Sequence, residues 1–106
     1  MTLPDPPNIL PLEGEIDLHV SPQVASSLAS IVAAKPLRVV VDLSKVTYID
    51  SSGLAVLIEA MQNVEDYGGK FAIAGLQDKV RPIFEVARLD QVFTIFPHVD
   101  AALAAT

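Results

Sequence analysis

The sequence of 106 residues contains no cysteine and no tryptophan, and it carries few positive charges. Without cysteine, the chain cannot form disulfides, use a thiol nucleophile or hold a metal through thiolates. Seven basic residues stand against thirteen acidic ones, which gives a net charge of −6. An acidic chain without a basic patch repels phosphate backbones and anionic lipids. Nucleic acids and membrane surfaces are therefore not expected as partners.

Long apolar runs and targeting signals are also absent from the sequence. No apolar run approaches the ~18 residues of a membrane-spanning helix, so no membrane insertion is expected. Residues 1–5 lack the basic and then apolar segments of a secretory signal. Together these features predict a cytoplasmic protein.

What is present is enough apolar surface for one folded domain. Apolar residues make up 51% of the chain and charged residues only 19%, so burial can offset the entropy lost on ordering. The length suits a single domain. Four of the eight prolines lie within the first eleven residues, and proline supplies no backbone donor. We therefore predict a proline-rich N-terminal arm over residues 1–8 and one domain over residues 9–106.

Apolar spacing along the domain alternates between strand-like runs and helical repeats. Strands are predicted near residues 12–17, 37–43, 71–74 and 92–96. Helices are predicted to open at Ser21-Pro22, where the serine can cap the free amides, at the serine pair 51–52, near residue 80 and at residue 99. Gly68-Gly69 is predicted to stop the second helix. Residues 44–50 are predicted as a loop. This order indicates an α/β fold with a mixed, mostly parallel sheet of four to five strands and about four helices.

The loop after the second central strand carries the residues best suited to function. Tyr48, which we expect to pack in the core, leads into Ile49-Asp50-Ser51-Ser52-Gly53 and then a long amphipathic helix. In an open α/β sheet, functional residues gather after the carboxyl ends of strands. Unpaired amides at a helix start favour a negative group, so we expect them to receive a phosphoryl group on either serine. The alternative is that Asp50 or Ser51 only caps the helix.

Three segments of the sequence resemble the STAS domain, a family that covers bacterial anti-sigma factor antagonists and the cytoplasmic tails of sulfate transporters. These segments are VVVDLS (39–44), VTYIDSSGL (46–54) and, upstream of them, LEGEID (12–17). The resemblance runs from about Leu10 to Ala104. It implies a single STAS-type domain that performs no catalysis and needs no cofactor of its own.

The resemblance also implies roles for individual residues. In the antagonist branch of the family, a partner anti-sigma factor serine kinase phosphorylates the first serine after the aspartate, which is Ser51 here. Asp50, Ser52, Gly53 and Asp17 are then supporting or partner-binding residues. The implied function is a switch in which the unmodified domain binds the kinase and frees the sigma factor. Phosphorylation at Ser51 abolishes binding, and a PP2C-type phosphatase resets the switch.

The sequence departs from the family pattern at two places. Relatives usually carry a fuller first strand before Leu12, and Ala55 stands where glycine is frequent. The prolines that weaken the first sheet edge favour a monomer.

Other functions remain open as alternatives. A non-switching STAS adapter that braces a transporter ATPase or a signalling scaffold would share this fold and this loop. Glu13, Glu15 and Asp17 alternate as if around a cation, but they lack the spaced loop of a calcium site, so no metal is expected. A hydrolytic triad of Ser51, His19 and Asp17 would lack the glycine of a nucleophile elbow.

Overall fold

The computed structural model describes residues 8–105, which form a four-stranded sheet with helices on both faces. In chain order the elements are β1 (Asn8–Ile16), α1 (Ser21–Ala33), β2 (Arg38–Ile49), α2 (Ser51–Asp66), β3 (Lys70–Ala74), α3 (Arg81–Val86), β4 (Thr94–Phe96) and α4 (Val99–Ala104). The strand order is β1-β2-β3-β4, and each neighbouring pair is parallel. The predicted α/β class, with its number of strands and helices, is confirmed. In the part of the chain described, the sheet is parallel throughout and not mixed.

Two apolar clusters hold the layers together. The larger cluster joins the sheet to α1, α2 and α3, and it includes the fully buried Leu43 and Phe84. The smaller cluster joins Val40 and Ala74 to Ala102 of α4. Successive residues of a strand point to opposite faces. Val39 and Val41 therefore belong to the larger cluster, while Val40 belongs to the smaller one. The central strand is therefore buried on both faces, as its continuous apolar run predicts.

Strand β2 continues through residues 44–49, which the sequence predicted as a loop. It pairs with β3 only from Arg38 to Asp42, whereas its pairing with β1 extends to Ile49. This outer half has a neighbouring strand on one side only, and its register with β1 shifts twice. Polar residues such as Ser44 and Lys45 can therefore face solvent while Val46 stays buried. The loop prediction was wrong because these polar residues interrupt the apolar run without interrupting the strand.

The helix boundaries follow the predicted signals with one exception. Gly68 follows α2 with φ of +86°, a left-handed conformation that suits glycine, so the predicted stop is confirmed. Ser21 does open α1, but it does not cap the helix, because no side chain bonds to the first amides of α1. Its hydroxyl instead donates to the Leu18 carbonyl at 3.5 Å. No helix within residues 8–105 is long and apolar enough to cross a membrane.

The predicted N-terminal arm falls mostly outside the described residues. Of residues 1–8, the structure describes Asn8 alone, and this residue is the first of β1. The boundary between the arm and the domain therefore stays a prediction.

Candidate functional site

Two loops meet at the carboxyl edge of the sheet, where β1 and β2 end side by side. Ile16 lies opposite Ile49 in the register of these strands, and the Asp50 N–H donates to the Ile16 carbonyl at 3.1 Å. This bond places the loop after β1, which carries Asp17, beside the start of α2. We call Asp17, Leu18 and residues 48–53 the serine corner.

Asp50 is the N-cap of α2. Its backbone is extended, and its Oδ1 accepts the N–H of Ser52 at 2.9 Å and the N–H of Gly53 at 3.2 Å. The Ser52 hydroxyl donates to the same oxygen at 2.5 Å. That hydroxyl is the main reason that the pKa of Asp50 is lowered; desolvation opposes the shift, and the amides of Gly53, Ser52 and Leu18 add to it. The cap is therefore held in its ionised form.

The two serines of the corner differ in accessibility. Ser51 is the first residue of α2 and its side chain is exposed. Within residues 8–105, its hydroxyl has no hydrogen-bond partner. Ser52 is half-buried, and its hydroxyl is bonded to Asp50. Of this pair, Ser51 is the one whose hydroxyl is accessible without breaking a hydrogen bond.

The amides at the start of α2 differ from the expectation drawn from the sequence. They were expected to be unpaired and to receive a phosphoryl group. Instead, Asp50 Oδ1 occupies the amides of Ser52 and Gly53, and the Asp50 carbonyl accepts the N–H of Leu54 at 3.0 Å. A phosphoryl group on Ser51 would thus stand beside an ionised carboxylate and would compete with it for these donors.

Gly53 sets how closely α2 approaches the two strands. A Cβ at this position would lie 2.7 Å from Ile49 Cγ1 and 2.9 Å from Ile16 Cγ2. Both isoleucines are buried, at 1% and 2% exposure, so neither can move aside freely. The glycine therefore fixes the position of Ser51 relative to both strand ends.

Asp17 organises its own loop. Its Oδ1 accepts the N–H of His19 at 3.0 Å and that of Val20 at 3.2 Å. Its carboxylate also adds negative charge to the serine corner. Glu13 and Glu15 are exposed on β1, and no group of three or more His, Asp or Glu is placed to hold a metal within residues 8–105.

The sequence did not reveal two exposed apolar side chains at the corner. Tyr48, which was expected to pack in the core, is 44% exposed, and Leu18 is 69% exposed. Tyr48 lies opposite Glu15 of the edge strand, and the Leu18 amide faces the Asp50 carboxylate. Large apolar side chains grouped on one surface favour contact with another protein. The available signal was a leucine directly after Asp17, outside any strand or helix repeat.

Comparison with known proteins supports the predicted resemblance. The family model described as the STAS domain matches residues 2–102. The anti-sigma-B factor antagonist of Listeria monocytogenes is 29% identical over 82 residues, which cover 77% of this chain and 72% of that protein. The anti-sigma-F factor antagonist RsfB of Mycobacterium tuberculosis is 28% identical over 95 residues, which cover 90% and 77%.

The fold of one solved structure is also closely similar. The crystal structure of an anti-sigma factor antagonist from Mycobacterium paratuberculosis matches with a TM-score of 0.84 and 29% identity. The match covers 92% of this chain and 82% of that one. Sequence and fold therefore agree on the same group of proteins.

Proposed function

The chain belongs to the STAS domain family, and we propose that it acts as an anti-sigma factor antagonist controlled by phosphorylation of Ser51. In this proposal the unphosphorylated domain binds an anti-sigma factor serine kinase and thereby frees the sigma factor. Phosphorylation of Ser51 abolishes the binding. The similarity to proteins named as antagonists supports the class. The observation that carries the switch is the exposed Ser51 hydroxyl beside the ionised Asp50 cap.

The charge around Ser51 explains how one phosphoryl group could switch binding. It adds about −1.5 to −2 charges next to Asp50 and Asp17, on a chain whose net charge is already −6. Because Asp50 occupies the nearby amides, the new charge would have few donors to neutralise it. A partner surface packed against a neutral serine would have to bury that charge unpaired. Such burial costs several kcal/mol, which is roughly a thousandfold in affinity.

The remaining parts of the proposal concern partners and setting. Leu18 and Tyr48 would supply apolar contacts at the centre of the kinase interface, with Ser51 beside them. A PP2C-type phosphatase would remove the phosphoryl group and restore binding. We propose that the domain works as a monomer in the bacterial cytoplasm, as a binding protein that performs no catalysis and binds no nucleic acid.

A pull-down from lysate of the native host tests this proposal, with wild type, Ser51→Ala and Ser51→Asp as baits. Wild type and Ser51→Ala should both capture one small ATP-binding kinase, and Ser51→Asp should lose it. The captured kinase, purified and supplied with ATP, should add a single phosphoryl group to wild type and none to Ser51→Ala, as read by intact mass.

A matched control separates the effect of position from that of charge. Ser30 is an exposed serine of α1, so Ser30→Asp makes the same charge change away from the corner and should retain the kinase. If all baits, including Ser51→Asp, retained the same transporter ATPase, the domain would be a constitutive adapter and the proposed switch would be wrong.

A further inference from the structure

A cavity of about 410 Å³ opens at the amino edge of the sheet, at the opposite end from the serine corner. It lies between the first residues of β2 and β3, the C-terminal part of α2, and α4. The pairing of β3 with β4 begins only at Ala72, so among residues 8–105 no strand lies beside Lys70 and Phe71 on the side away from β2. Native interiors leave few voids larger than a water molecule. A space of this volume falls in the range of small-molecule sites.

The apolar part of the cavity wall comes from both core clusters. Met61 and Phe71 belong to the larger cluster, while Ala102 and Leu103 belong to the smaller one or pack against it. The cavity therefore lies where the two clusters meet around the first residues of β3. The α4 part of the lining shares its face of the sheet with Arg38 and Lys70, and the α2 part lies on the opposite face.

The charges that line the cavity differ in sign from those of the whole chain. Arg38 and Lys70, two of the seven basic residues of the chain, line the cavity together with the acidic Glu65. The local sum is one positive charge in a protein of net charge −6. Arg38 also donates to the Leu103 carbonyl at 3.4 Å, which holds its guanidinium beside the last turn of α4.

We propose that this cavity binds a small monocarboxylate with an apolar tail. The carboxylate would lie between Arg38 and Lys70, which are register partners on one face of the sheet, and the tail would pack against Ala102 and Leu103 on that same face. A single negative charge balances the local sum, whereas a dianion would leave one negative charge without a partner. At about 30 Å³ for each water-sized group, the volume holds roughly a dozen such groups, which suits a short fatty acid or an aryl acid. This inference goes beyond the proposed switch and requires neither Ser51 nor the kinase.

Titration of the isotope-labelled domain with octanoate, followed by NMR, tests the inference. Octanoate should bind saturably at one site and shift the amides of Phe71, Thr94 and Ala102. The neutral analogue 1-octanol should bind at least about fivefold more weakly, because it lacks the charge that two partly exposed cations attract.

Charge variants locate the site. Lys70 is exposed, so Lys70→Gln should fold normally and weaken octanoate binding about fivefold, and Lys70→Glu should weaken it further. Lys79→Gln, an equally exposed lysine outside the cavity, should bind as wild type does. The amide spectrum of each variant reports whether it is folded.

Several outcomes would overturn the inference. These are the absence of saturable binding below the concentration at which octanoate forms micelles, shifts centred elsewhere, and equal affinity for octanol. Unchanged binding by Lys70→Gln would also exclude the proposed carboxylate contact. Ser51→Ala and Ser51→Asp should bind octanoate as wild type does, so failure of the kinase proposal and failure of this one are distinguishable.

Discussion

The starts of α1 and α2 are built from the same residue types but differ in what they expose. At each, one aspartate oxygen accepts two backbone N–H groups: Asp17 does so before α1, and Asp50 does so at α2. At each, the first helical residue is a serine. Yet Ser21 is buried, at 5% exposure, whereas Ser51 is exposed.

The distance along the chain between aspartate and serine accounts for this difference. Asp50 directly precedes Ser51, so the aspartate itself is the cap and the serine begins the helix at the surface. Asp17 lies four residues before Ser21, and its carbonyl accepts the Ser21 N–H at 2.8 Å. In this chain the serine next to its cap is exposed, and the serine separated from its aspartate by a turn is buried.

Introducing a charge at each serine should show the largest contrast. Ser21→Asp would bury an unpaired carboxylate and should lower the free energy of unfolding by about 3–5 kcal/mol. Ser51→Asp, at an exposed position, should change it by no more than about 0.5 kcal/mol. Chemical denaturation of both variants measures this. Equal losses would mean that the two helix starts are not packed differently.

Filling the space at Gly53 should have the next largest effect. Gly53→Val would press against Ile16 and Ile49 and should cost about 1–3 kcal/mol of stability. Ala55→Val, at an exposed position of the same helix, controls for the lower helix propensity of valine, which costs roughly 0.5 kcal/mol. If thermal denaturation found the two variants equally stable, the close approach of α2 would not matter.

Removing the side-chain hydrogen bonds of Ser52 and Ser21 compares the two helix starts at the level of single contacts. Ser52→Ala loses the hydroxyl that bonds to Asp50 and should cost about 1 kcal/mol. It should also raise the pKa of Asp50, measured by carboxyl NMR, since that hydroxyl is the main cause of the lowered value. Ser21→Ala loses only a long 3.5 Å bond to the Leu18 carbonyl and should cost less. A larger loss of stability for Ser21→Ala than for Ser52→Ala would contradict the hydrogen-bond geometry described for the two helix starts.

The smallest expected effect is a change in acid sensitivity. The pKa of Asp50 is lowered on folding, while an unfolded aspartate titrates near about 3.9. The ionised cap therefore adds stability above that pH and loses it as the pH falls through the lower folded pKa. Asn can still cap a helix, so Asp50→Asn should be slightly less stable than wild type at neutral pH, and the difference should shrink below about pH 4. Asp78→Asn makes the same change at another exposed position and serves as the matched control.

The sequence predicted those structural features that depend only on residues close together along the chain. The first half of β2, the serine pair at the start of α2 and the glycine stop at Gly68 all follow from local spacing, and the structure confirms them. The exposure of Tyr48 could not be predicted in this way. It depends on the greater length of β2, which continues beyond the end of β3 at the position opposite Asp42. It also depends on the register shifts between β2 and β1.

Capping of α2 by Asp50 was one of the alternatives that the sequence left open, and the structure shows it. Features that depend on two distant segments were beyond the sequence. The cavity at the amino edge arises because β4 begins late relative to β3 while α4 returns to the same edge. Neither of these lengths leaves a pattern in the apolar spacing.

The close contact at Gly53 has a consequence for how this sequence can change over evolutionary time. With two buried isoleucines against the position, a larger residue at 53 becomes acceptable only after a smaller one has appeared at 16 or 49. These three positions should therefore covary among descendants of this chain. A lineage that replaces the glycine should carry alanine at one of the isoleucine positions, because valine retains the γ carbons that lie against position 53, and an ancestral reconstruction should date that change earlier.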